Sequence, residues 1–204
     1  MKKLNLFALG MISLSLVSCG GEATEEENDN AVVETYALDT ESSIIRWTGD
    51  YFKGGEFDHN HEGVVMFNSG SIEVSEGNIL SGSFELNMNT IDEPNAPMGE
   101  EARMKFLGHL KSEDYFDVEK YPTATITLDK STTSMLSGMI TVKGVTMPFE
   151  APVTTSSSED VMKISGDFKL NFAPFGMDGI GSESDPEFVS PNVAFSIALK
   201  LNKK

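Results

Sequence analysis

Residues 108–126 read Gly-His-Leu-Lys-Ser-Glu-Asp-Tyr-Phe-Asp-Val-Glu-Lys-Tyr-Pro-Thr-Ala-Thr-Ile, and within them a helical pattern gives way to a strand pattern. Upstream, Met98, Ala102, Phe106 and Leu110 recur every fourth residue and set one apolar face. Glu100 and Glu101 stand near the start of that pattern, and Lys105, His109 and Lys111 toward its end, as a helix dipole favours. The spacing predicts one helix over about 98–110. Pro122 disfavours the α region for the residue before it, so the helical run stops by Tyr121. Downstream, Ala124, Ile126 and Leu128 alternate with Thr123, Thr125 and Thr127, the period of a strand with one buried face.

Outward from this junction the same alternation recurs. Short strands are predicted at Val33–Leu38 and Ser43–Thr48, the second carrying Trp47, and again at Gly63–Phe67 and Ile72–Val74. Gly54-Gly55, the charged run Glu56–His61 and Asn68-Ser69-Gly70 read as breaks or turns between them. Phe84, Leu86 and Met88 point one way along Ser83–Thr90. After the helix, Leu136 to Val142 and Val145 to Val153 alternate, with Pro148 and Pro152 marking an edge or a bulge. Phe168, Leu170 and Phe172 share a face, and Val193 to Leu201 forms a closing strand. Ala173–Pro191, rich in Gly, Pro, Ser and acids, reads as a long loop at a barrel mouth. Many strands, one inserted helix and no apolar run able to span a bilayer after residue 18 predict an all-β chain. An antiparallel barrel of about eight strands is the economical solution, because closure removes exposed edges.

The N-terminus has a different texture. Lys2 and Lys3 precede an apolar run, Leu4–Val17, too short to cross a bilayer comfortably. The only cysteine, Cys19, follows in Leu-Val-Ser-Cys-Gly, which resembles a bacterial lipobox. The expectation is a signal peptide over 1–18, a lipidated Cys19 with an acidic flexible tether over 19–31, and a barrel domain over 32–204. Gly20–Asn30 has no side chain able to anchor a core and repels itself. Such a protein would be held in the cell envelope by its lipid anchor, periplasmic or surface-facing. The net charge of −17 excludes binding to nucleic acid through phosphate neutralisation.

Catalytic patterns are missing from the sequence. It has no Gly-x-Ser-x-Gly elbow, phosphate loop, dinucleotide fingerprint or HExxH, so neither catalysis nor a cofactor is expected. His59 and His61 would point the same way on a strand and could share a metal, with Asp58 or Glu62 as a third ligand. Two ligands two residues apart are a weak signal, and a polar rim segment is the plainer reading, so no metal site is assigned. His109 suits a helix C-terminus. The apolar stripes remain. Trp47, Phe67, Phe84, Leu86 and Met88 line the first half of the chain, with Phe106 on the helix. Ile126, Leu128, Phe149, Phe168, Leu170, Phe172, Phe195 and Ile197 line the second half. They line either a packed core or a ligand cavity, and periodicity does not separate the two.

The order Leu110, Ser112, Asp114, Phe116, then Tyr121-Pro122-Thr123-Ala124, resembles the signature of the YceI family, a helical turn HLxSxDFF leading through xxYPTAxF into a strand. His61, Gly63, Val65 and Phe67, and the run from Gly138 to Val153, fit the same pattern. The resemblance extends from about Tyr36 to Leu201. It implies a lipocalin-like barrel that holds a long-chain isoprenoid or other apolar lipid, and it favours the cavity over the filled core. One position departs from the pattern. Phe172 stands where the family often has an arginine, so a polar head-group contact there would be lost, with Lys105, His109 or Lys111 as substitutes.

Overall fold

A computed structural model describes residues 32–177 and 187–204. The expected signal peptide, Cys19 and the acidic tether lie outside the described residues. In chain order the strands are β1 Val33–Leu38, β2 Ile44–Lys53, β3 Glu56–Ser75, β4 Asn78–Asp92, β5 Thr123–Leu128 and β6 Met135–Val142. They continue as β7 Val145–Pro152, β8 Thr154–Ser157, β9 Val161–Asn171, β10 Glu187–Val189 and β11 Asn192–Lys203. One helix, α1 Glu100–Lys111, is inserted between β4 and β5.

Every ladder is antiparallel, and the order returns on itself. β3 pairs β4, and β5, β6 and β7 follow side by side. After Val153 the chain continues as β8, which pairs β9, and β9 pairs β11. β11 pairs both β1 and β2, and both pair β3, which closes the ring. Eleven segments thus form a barrel with eight positions around its wall, because three positions are split along their length. β1 and β2 share one, on either side of Asp39–Ser43. β7 and β8 share another. β10 continues β11 across Ser190-Pro191, where a proline has no N–H for the ladder.

Local chemistry sets these strands. β2–β3, β3–β4 and β6–β7 join through two-residue turns with both central residues at positive φ: Gly54-Gly55 (64°, 82°), Glu76-Gly77 (51°, 80°) and Lys143-Gly144 (50°, 77°). That is the mirror-image turn whose twist matches a hairpin. Two expected breaks are strand instead. Glu56–His61 continues the ladder with β2 beyond the Gly54-Gly55 turn. Asn68–Gly70 lies within the 20-residue β3. The register slips between Phe67 and Ser69, so this segment bends the strand by a bulge and does not reverse it. The expected long loop contains a 3₁₀ turn at Ala173–Phe175 and β10, and its residues 178–186 lie outside the described residues.

The junction segment behaves as its residues predict. Arg103 fastens α1 to the end of β4 by donating to the Glu93 carbonyl (3.0 Å) and to the carboxylates of Glu100 (2.9 Å) and Asp92. The helix buries Leu107 and turns Phe106 and Leu110 toward the barrel. After it, the N–H groups of Asp117, Val118 and Tyr121 bond back to Ser112, Lys111 and Asp117, and Val118 is buried. Met88 N–H donates to the Pro122 carbonyl at 3.0 Å, so β5 starts beside β4. The tightest core lies toward the β3–β4 turn, where Tyr36, Ile72, Val74, Ile79, Ile164 and Leu201 are each no more than 4% exposed.

Candidate functional site

Toward the other end the barrel is hollow. A cavity of about 590 Å³ opens between β2, β4, α1, the turn after it and the 3₁₀ segment. Below it lies a second space of only about 70 Å³. Leu86, Ile140 and Phe195 border both and form the floor between them. Of the fourteen apolar residues read from the sequence as ligand lining, six border the large cavity, and eight border only the small space, where they pack against one another. Trp47, Leu86, Met88, Phe106, Phe172 and Phe195 border the large cavity. Phe67, Phe84, Ile126, Leu128, Phe149, Phe168, Leu170 and Ile197 border the small one.

The geometry adds residues beyond these fourteen. Ile140 and Val142 line the large cavity from β6, and the alternation there could have named them. Met177, Val189 and Pro191 come from the segment read as loop, where no periodicity marks a face. Leu110, Tyr115 and Phe116 arrive from the junction segment. Phe172, in place of the expected arginine, anchors an aromatic cluster. Its ring meets Phe116 edge-on at 5.8 Å and lies 5.6 Å from Phe175 and 5.9 Å from Phe195. Such pairs are favourable beyond simple burial, so the position is committed to packing.

Polar groups gather at the rim. Asp50, Lys53, Asp58, His59, His61, His109 and Tyr115 all border the large cavity. Of the three groups proposed to replace the arginine, only His109 reaches it. Lys111 Nζ donates to the Asn89 carbonyl outside (2.8 Å), and Lys105 does not border it. His109 meets the Tyr115 ring edge-on at 5.0 Å. Burial, and then the nearby Asp114 carboxylate, push the Tyr115 phenol up to about 12. It stays protonated at neutral pH and can donate a hydrogen bond. Trp47 closes one wall with its indole N–H on the Val64 carbonyl (3.3 Å) and its ring over Gly63.

A family model for the YceI-like domain matches residues 36–201. The chain belongs to the YceI-like family. Solved structures of other proteins share the fold, among them the following two. BcnA of Burkholderia cenocepacia superposes with a TM-score of 0.63 at 17% identity, over 80% of this chain and 98% of that one. A polyisoprenoid-binding domain from Saccharophagus degradans, implicated in plant cell wall breakdown, superposes with a TM-score of 0.58 at 13% identity, over 83% of this chain and 98% of that one. No curated protein matches the sequence significantly.

Proposed function

We propose that this YceI-like barrel binds a polyisoprenoid or similar apolar lipid and carries or sequesters it in the cell envelope. The observation that carries the reading is the cavity of about 590 Å³, walled by aromatic and aliphatic side chains and rimmed by a few polar ones. Sites for small molecules typically enclose about 300–1,000 Å³ with this composition. The Saccharophagus degradans relative, described as polyisoprenoid-binding, supports the same ligand class. Affinity would come from burying apolar surface, about 25 cal/mol per Å², with the rim fixing orientation. No bond is made or broken in this role. The alternative of a filled barrel serving only as an interaction module fits poorly with so large a space.

Mass spectrometry of lipid extracted from natively purified protein tests the reading, together with thermal melts in added long-chain isoprenoid. Copurifying lipid and a raised Tm are expected. Protein that carries no lipid and is not stabilised by the isoprenoid overturns it. The envelope location rests on the N-terminal segment, where Cys19 would become the lipidated first residue. Several acyl chains give stable attachment where one is marginal. Cys19→Ala should leave the protein unprocessed or release it from membranes. A variant that is processed and fractionates with membranes like wild type removes the anchor.

A further inference from the structure

The rim contains an arrangement whose geometry an apolar ligand alone does not require. β3 places His59 and His61 on one face, and both border the cavity. Their Nε2 atoms face one another at 3.3 Å. Behind them stand two carboxylates. Asp58 Oδ2 lies 2.6 Å from His59 Nδ1, and the two Glu93 oxygens lie 3.1 and 3.3 Å from His61 Nδ1. Glu93 is 2% exposed, and among the described residues its carboxylate has no other hydrogen-bond partner. The His61 ring is stacked on Phe106 at 4.0 Å, and His59 leans on Tyr51 at 4.8 Å.

A carboxylate accepts hydrogen bonds, so each Nδ1 faces an acceptor, and a neutral ring held this way presents its Nε2 lone pair to a cation. Two lone pairs then converge on one point, which is favourable when a cation occupies it. Nitrogens bound about 2.0–2.1 Å from a tetrahedral ion lie about 3.3–3.4 Å apart, the separation found here. Histidine ligands of metals regularly give their second ring N–H to a carboxylate, which orients the ring and makes it more basic. A buried carboxylate also needs a positive partner, and an imidazole bound to a cation supplies one.

We propose that His59 and His61 bind a divalent transition metal ion at the cavity mouth through Nε2, with Asp58 and Glu93 as positioning residues behind them. Imidazole donors favour zinc, cobalt, nickel or copper over magnesium or calcium. Asp58 takes an outer role, and Glu62, next along the strand from His61, faces the opposite way. Among the described residues no three potential ligands converge, so the remaining positions of the ion are open to water or to an oxygen donor of the cavity's occupant. The site does not depend on the lipid reading.

The test uses the full chain without added lipid. Titration with Zn²⁺ by calorimetry and with Co²⁺ by visible absorption should give one equivalent and ligand-field bands. His59→Ala, at an exposed position, should abolish both while leaving the melting curve in place. Glu93→Gln should weaken Zn²⁺ binding by about 10- to 100-fold. Absence of Zn²⁺ binding overturns the site. Zn²⁺ binding unchanged in His59→Ala also overturns it, by placing the ion elsewhere, such as at Cys19. Metal binding by protein that retains no lipid would sink the cavity reading and leave this site standing, and the converse holds.

Discussion

The two ends of the barrel are built from the same alternating strands, yet one is filled and the other is hollow. Below the floor of Leu86, Ile140 and Phe195, wall residues meet across the axis and leave about 70 Å³. Above it, similar residues leave about 590 Å³. The difference lies in what caps each end. At the β3–β4 turn, the wall strands close directly over Ile72, Ile79 and Leu201. At the other end, the cover is α1 and the turn after it, which rest Phe106, Leu110 and Phe116 on the rim without filling the space. A strand end can only narrow a barrel, whereas a helix laid across it can roof a void. An eight-position barrel permits either outcome, and this chain uses both.

A charge placed at each end separates them most sharply. Leu128 borders the small space and is 4% exposed, while Leu110, on α1, is half-buried at the large cavity. Leu128→Asp buries an unpaired carboxylate, costs several kcal/mol and should leave the chain unfolded in circular dichroism. Leu110→Asp should melt cooperatively and retain no lipid. Two variants that unfold alike would erase the distinction between filled and hollow halves.

Truncation at the same two positions gives a smaller contrast. Leu128→Ala opens a hole in a packed layer and should cost about 2–5 kcal/mol. For a domain of this size that is on the order of 10 °C in Tm. Leu110→Ala only enlarges an existing space, loses mainly the transfer term, and should cost clearly less. Equal losses in thermal melts would mean that Leu110 packs as tightly as Leu128. Gly63→Ala probes the wall near the rim. A Cβ there would lie 2.2 Å from the Trp47 ring and 2.2 Å from the Asp92 carbonyl oxygen. The ring can swing into the cavity but the backbone oxygen cannot, so a cost of about 1–3 kcal/mol and a shift in Trp47 fluorescence are expected. A stable variant with unchanged emission would show that the wall yields.

Much of the fold was legible in residues, but the contrast between its two halves was not. The helix, the stop at Tyr121-Pro122 and the inward face of each strand follow from periods of 3.6 and 2 and from proline sterics. Periodicity assigns a face but not a depth, so Phe84 and Phe106 look alike in sequence while one packs and the other borders a void. Splits within wall positions were invisible, because Pro152 and Ser190-Pro191 read as edges or loop until their partners are known. The bulge at Asn68–Gly70 has the composition of a turn, and only the ladder on both sides shows the strand passing through. Glu93 behind His61 is a contact across 32 residues and left no local signal.

The smallest expected effect belongs to the closed end. Asp39 sits in the break between β1 and β2, where its carboxylate accepts from Lys200 Nζ at 2.9 Å and from the Ser42 hydroxyl and N–H at 2.9 and 3.0 Å. Those bonds, Lys200 first, hold its carboxyl at about 2, below the ordinary 3.8. An acid whose pKa is lowered by folding stabilises the folded state above its unfolded pKa, and that contribution disappears as pH falls through the folded one. Asp39 should therefore contribute steadily above pH about 4 and lose its contribution between about 4 and 2. Ser43 beside it is buried and its hydroxyl accepts from the Lys200 N–H at 2.9 Å, so the break remains stitched to β11 without the charge. The pair is solvent-accessible, which keeps the effect modest and sensitive to salt. The measurement is the urea midpoint of wild type and Asp39→Asn from pH 7 to 2. The two should differ by a constant gap down to pH about 4 and converge by about 2, with lipid retention equal throughout. A gap that persists at pH 2 would assign the effect to the shape of the turn. A loss of retained lipid in Asp39→Asn would mean that the closed end and the cavity are coupled through the floor, and the two halves could no longer be treated as separate.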